Sequence, residues 1–274
     1  MNEGKFILVN GVFVPTGEYK ISLPEAEAIG FQEKIRVIRS VFPFFRETLE
    51  LIKLKLQIFN REFPEFTEND GSELKRQMER TLTKNKQFLG AVLTLTFRFT
   101  SDKTSYTIQS EKTEYIDYEL NEKGLYLDVF RELRKSASSL SNLSIGSDIF
   151  WKIATNSQKT EGPKDLLLLL NTHDQITEVP WSNVYLIRSN KIFSASVEHG
   201  AYLDVTQPLL LDIFARLNLE YSEYEGITVE DIQNAEEIFV ANAVEGIRWI
   251  IGFEGKRYYN QMIRKINELF NLKS

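Results

Sequence analysis

Apolar and polar positions alternate along this chain in two rhythms, and both recur in each half. Lys5 to Val14 reads F-I-L-V, then Asn10-Gly11, then V-F-V, which predicts a β-hairpin closed by Pro15. A strand is expected over Ile35–Ser40. From Arg46 to Asn60 the period lengthens: Leu49, Ile52, Leu56 and Phe59 share one helical face. Pro64 to Gly71 reads as a loop, and Ser72 caps a second helix with Leu74, Met78 and Leu82 on one face. Ala91–Phe99 and Ser105–Gln109 alternate as paired strands. The charged stretch Glu111–Lys123 reads as a junction, giving an N-terminal α/β domain over 1–113, a linker over 114–123 and a C-terminal α/β domain over 124–274.

In the second half, strands are expected at Leu125–Phe130, Leu166–Leu170, Val184–Ile187, Lys191–Ser194, Ile238–Ala241 and Gly246–Ile251. The Ser-rich run Lys135–Asn142 reads as irregular, and a helix is expected from Asp148 to Ser157, ended by Gly162-Pro163. Thr206, Gln207 and Pro208 open a helix to Leu217. Thr228 with Asp231 forms a capping-box start for a short helix to Ala235. Tyr259–Phe270 is the closing helix. Strands and helices mix without strict alternation, so the fold class is α/β with α+β character, in two domains.

Composition narrows the chemistry. With 42% hydrophobic and 26% charged residues among 274, the chain can bury a sizeable core. A net charge of −6 without a basic stripe argues against nucleic acid as partner. No cysteine is present, which excludes disulfides, thiolate catalysis and zinc–sulfur sites. The strand-like start and the lack of any membrane-length apolar run lead to the expectation of a cytoplasmic protein. His173 and His199, the only histidines, sit in polar turns and suggest no metal site. Glu33, Lys34, Arg36 and Arg39 read as a polar strand face, and Phe42, Phe44 and Phe45 as core or dimer contact.

The stretch with most chemical content is Gln175–Asn190, Q-I-T-E-V-P-W-S-N-V-Y-L-I-R-S-N. It places Glu178 after a polar turn, between two apolar strands. This segment resembles the corresponding motif of the class IV aminotransferases, the fold-type IV pyridoxal-phosphate enzymes that include branched-chain and D-amino-acid aminotransferases and aminodeoxychorismate lyase. The resemblance implies a D-amino-acid aminotransferase-like fold, a homodimer, pyridoxal 5'-phosphate as cofactor, and an amino acid or amino-deoxychorismate-like substrate. It also implies that Glu178 sits against the pyridine nitrogen, keeping it protonated so that the ring serves as an electron sink.

Other positions depart from the family pattern. Thr206 matches the threonine of the phosphate-binding helix start, but Asp204 stands at its glycine and Gln207 at its arginine. Ala241 replaces a phosphate-binding hydroxyl residue just before Asn242, and Lys53 stands where an arginine is expected. Counting back from Glu178 at the family's spacing, the Schiff-base position falls on Ser144, Ile145 and Gly146. Lys135 lies nine residues before Ser144, and Lys152, the substitute candidate, eight after it. Two lost charge-assisted contacts, each about 1.5–3 kcal/mol, weaken cofactor binding by roughly 10²–10⁴-fold. The residues thus leave two readings open: a pyridoxal-phosphate aminotransferase or lyase, or a cofactor-free pseudoenzyme whose interdomain cleft or dimer surface binds a small molecule or partner.

Overall fold

The structure is a computed structural model; it describes residues 3–101, 103–145, 147–157, 165–224 and 226–273. The chain separates into two units, Met1–Asp117 and Tyr118–Ser274. Among the described residues no helix is long and apolar enough to cross a membrane.

In the first unit the elements are β1 (Phe6–Val9), β2 (Val12–Pro15), α1 (Leu23–Ala26), β3 (Ile29–Ile38), α2 (Phe45–Ile58), α3 (Pro64–Thr67), α4 (Ser72–Asn85), β4 (Gly90–Phe99) and β5 (Thr104–Lys112). The strands form one antiparallel sheet in the order β2-β1-β5-β4-β3. Asn10 and Gly11 both take positive φ (46° and 82°), as a two-residue hairpin turn requires. The predicted helical faces are those that pack: Leu49, Ile52 and Leu56 of α2 and Leu74, Met78 and Leu82 of α4 are all buried.

Strand β3 begins six residues before the expected Ile35. Gln32, Glu33 and Lys34 break its apolar run, but the strand pairs with β4 along its whole length, Ile29 with Phe99 through Ile38 with Gly90. Arg39 and Ser40, expected in the strand, turn away with positive φ. Glu33 is not on a solvated face; it points inward and forms a buried ion pair with Lys55 of α2. Arg36, also buried, donates to the backbone carbonyls of Tyr115 and Ile116 (2.5 and 3.0 Å). Phe42 is buried and lies 6.3 Å from the Phe45 ring.

The second unit contains β6 (Leu125–Lys135), α5 (Ser139–Asn142), α6 (Ser147–Ser157), β7 (Leu166–Asn171), β8 (Ile176–Val179), β9 (Ser182–Arg188), β10 (Lys191–Ala195), α7 (Gln207–Arg216), β11 (Glu220–Tyr224), α8 (Val229–Asn234), β12 (Glu237–Asn242), β13 (Gly246–Phe253), β14 (Lys256–Arg257) and α9 (Gln261–Lys273). Its sheet runs β11-β10-β9-β12-β13-β6-β7-β8, and β8 also pairs with β9, so six strands close on themselves. Alternate side chains, including Leu127, Val129, Leu168, Leu170, Val184, Leu186, Ile238 and Val240, form the main core of this unit. Phe130, Leu167 and Leu169 pack instead with Trp151 of α6.

Two expectations change here. Strand β6 continues past Phe130 to Lys135: Arg131–Arg134 are exposed and carry no apolar alternation, and the pairing with β7 is irregular between Phe130 and Lys135. The run after Lys135 is not wholly irregular either, because Ser138 caps the single turn α5 by accepting from the Ser141 amide (3.3 Å). Gly162-Pro163, the expected stop of α6, lies outside the described residues. The capping box at Thr228 forms as read, with Thr228 Oγ1 accepting from the Asp231 amide at 3.1 Å.

The closing helix α9 is started by a residue distant in sequence. The buried Glu237 carboxylate accepts from the backbone amides of Met262 and Ile263, each at 3.0 Å. Glu237→Ala should lower the free energy of unfolding by about 1–3 kcal/mol, and Glu237→Gln, which keeps one acceptor oxygen, by less. Urea denaturation of both variants checks this; equal losses would show that the carboxyl oxygens are not what holds the helix start.

Candidate functional site

The β8–β9 hairpin is closed by two residues, Pro180 and Trp181, because Val179 pairs with Ser182 and Glu178 with Asn183. Proline suits the first corner of such a turn, whereas the second takes φ +61°, a conformation that favours glycine. A tryptophan there costs of order 1 kcal/mol of strain. In return its ring sits 5.6 Å from that of Trp151. Tyr202 meets Trp151 edge-on at 5.2 Å.

Under these rings lies a charged pair. Glu178 is fully buried and Lys135, the last residue of β6, is 3% exposed. Lys135 Nζ donates to Glu178 Oε1 at 2.7 Å, and Trp151 Nε1 donates to the same oxygen at 2.7 Å. The ammonium also lies 5.9 Å from the Trp151 ring. Burial pushes the Glu178 carboxyl above the ordinary carboxylate range, while the Lys135 charge, its hydrogen bond, the Trp151 N–H and the Tyr202 backbone amide pull it back.

A second polar cluster surrounds the start of α7. Thr206 is fully buried; its amide donates to Asp204 Oδ1 at 2.9 Å, and its hydroxyl donates to the same oxygen. A carboxylate of the chain itself therefore sits where the first turn of a helix favours an anion. Gln207 Nε2 donates to the Tyr221 hydroxyl (3.1 Å) and to Glu223 Oε1 (2.8 Å), and Tyr221 bonds Ser194 Oγ at 2.7 Å. Burial pushes the Tyr221 phenol up to about 12 and the Tyr185 phenol well above its usual value, with Tyr221 and Asp204 adding to the latter shift.

Of the residues singled out from the sequence, Glu178, Thr206 and Asn242 are buried in the second unit. Asn242 is engaged in its own turn: its Oδ1 accepts from the Val244 and Glu245 amides (2.8 Å each) and its Nδ2 donates to Ser182 Oγ at 2.7 Å. Ala241 is buried between Asn183 and Ile247 on the neighbouring strands. Lys53 belongs to the first unit and pairs with Glu50 at 2.8 Å on the surface of α2. Lys152 is exposed on α6, the helix whose Trp151 turns inward. Ser144 occupies a left-handed turn after α5 and has no amine; Gly146 lies outside the described residues.

The amine that meets Glu178 is that of Lys135. Counting back at a fixed spacing misses it because the stretch after β6, with α5, α6 and the residues up to β7, is longer than the spacing allows. The missed signal was the strand itself: a lysine ending β6 lies beside β7, whose neighbour β8 carries Glu178. In the sequence Trp151 shows only as one position of a helix. His199 is taken up locally, its Nδ1 2.7 Å from Ser196 Oγ, and no group of three metal-ligating side chains converges among the described residues.

Comparisons with known proteins agree with this architecture. The chain is similar in fold to a branched-chain aminotransferase from the thermophilic archaeon Thermoproteus uzoniensis, crystallised with norvaline, with TM-score 0.84, 18% identity and coverage of 97% of this chain and 93% of that one. It is similar to a putative 4-amino-4-deoxychorismate lyase from Legionella pneumophila, with TM-score 0.80, 20% identity and coverage of 94% and 97%. A branched-chain aminotransferase from Thermobaculum terrenum in its PLP form gives TM-score 0.83 at 15% identity, covering 98% and 94%. No curated protein matches the chain. The family model for amino-transferase class IV matches residues 60–251, and the chain belongs to that family.

Proposed function

We propose that this chain is a class IV aminotransferase homologue that does not transaminate: its own side chains occupy the places of a cofactor, and its role is to bind a small molecule or partner protein. The observation that carries this reading is the contact of Lys135 with Glu178, 2.7 Å long and shared with Trp151. Supporting it, the residues as they stand do not fit pyridoxal phosphate. A pyridine ring with its nitrogen on Glu178 and its aldehyde carbon at Lys135 needs the two groups apart by more than the width of the ring, and here they touch.

The phosphate end supports the same reading. Asp204 already satisfies the amide and hydroxyl of Thr206, and a phosphate brought there meets a carboxylate. Gln207 is turned to Tyr221 and Glu223, and Ala241 has no hydroxyl to donate. One observation favours a second reading: Lys135 supplies an amine beside Glu178. On that reading the pair opens on ligand binding, and the chain is an enzyme of the family acting on an amino acid or amino-deoxychorismate-like substrate.

Purified protein incubated with pyridoxal phosphate and then borohydride separates the two. With free cofactor removed, the proposal expects no bound absorbance band and no stoichiometric adduct on the peptide carrying Lys135; a stable adduct there would favour the enzyme. A second test concerns the phosphate end. Asp204→Gly combined with Gln207→Arg removes a repelling carboxylate and adds a two-pronged donor, and should tighten pyridoxal phosphate binding by at least about tenfold in equilibrium dialysis. Unchanged binding would remove Asp204 and Gln207 from the explanation.

A further inference from the structure

The first unit carries a separate cluster of charges, independent of the site described above. Helix α4 reads S-E-L-K-R-Q-M-E-R-T-L-T-K-N, with Leu74, Met78 and Leu82 inward. Its outer residues Arg76, Glu79, Arg80, Thr83 and Lys84 line, with Phe13 of β2, an open depression of about 370 Å³.

The cations in this depression are not equivalent. Arg76 is neutralised by two bonds to Glu73, both 2.6 Å. Arg80 and Lys84, one helical turn apart, make no ion pair among the described residues, although the Arg80 charge also acts on the Glu73 carboxylate. Like charges at this spacing repel each other. The fold holds them side by side over aromatic rings: the Arg80 guanidinium lies 5.3 Å from the Phe13 centroid, and the Lys84 amine lies 4.3 Å from Phe6 and 5.8 Å from Phe13. Arg80 is further fixed by donating to Gln77 Oε1 at 2.6 Å and to the Gly11 carbonyl at 3.4 Å.

A half-buried guanidinium over an aromatic ring offers a surface on which a second flat group can stack, and the neighbouring exposed ammonium supplies a point charge for an anion. Thr83 adds a hydroxyl donor between them along the helix. Glu79 repels an anion from the other side, which confines the negative group to the Arg80–Lys84 end. The geometry points to a binding site for a small aromatic phosphate of the nucleoside monophosphate class, its ring against the Arg80–Phe13 stack and its phosphate on Arg80, Thr83 and Lys84. An anion there relieves the repulsion between the two cations, and rising salt should weaken the complex.

Isothermal titration of the full chain with adenosine monophosphate, adenosine and inorganic phosphate tests this. The monophosphate should bind, with the other two weaker by at least about tenfold. Arg80→Ala with Lys84→Ala should weaken monophosphate binding by at least about tenfold, while Glu79→Gln should tighten it. Arg80→Lys keeps the charge but not the flat fork, and should lose affinity without loss of folding should the double variant prove unstable. Absence of binding by the monophosphate, equal binding of adenosine, or affinity unchanged in both Arg80 variants would each overturn the assignment.

Discussion

A carboxyl group buried away from water needs a proton or a cation, and the second unit is arranged so that Glu178 meets Lys135. Removing one partner from a buried pair leaves a stranded charge and costs about 3–5 kcal/mol, whereas replacing both by apolar groups can be nearly neutral. The contact therefore contributes little net stability but strongly couples the two residues. It ties the end of β6 to β8, and the Trp151 N–H on the same oxygen brings α6 over both. Trp181 then covers Trp151 from a turn whose backbone is unfavourable for a tryptophan. The strain at Trp181, the burial of Trp151 and the burial of the ion pair are parts of one arrangement.

The start of α7 repeats this logic with an anion. A helix start with inward-facing donors attracts negative charge, and Asp204 supplies it from within the chain. Within the second unit the buried acid thus meets the chain's own lysine, and the helix start meets the chain's own aspartate.

Much of the fold was legible in the sequence. Asn10-Gly11 fixed a hairpin, the period of Leu49, Ile52 and Leu56 fixed α2, and Thr228 with Asp231 fixed the start of α8, because each is a short-range signal with a short-range cause. The misses came from long-range causes. Gln32, Glu33 and Lys34 hide the first half of β3, whose strand character comes from pairing with β4, and Glu33 is buried because Lys55 of α2 reaches it. Exposed Arg131–Arg134 hide the end of β6. Glu178 and Thr206 stood out through a local motif, but Lys135 did not, since its place beside Glu178 depends on strand order and not on spacing.

The most direct measurement is a double-mutant cycle on Lys135→Met and Glu178→Leu, followed by chemical denaturation. Each single variant should lose about 3–5 kcal/mol, and the double variant much less than the sum. Additive losses would contradict the account, because they would mean that the two charges do not depend on each other.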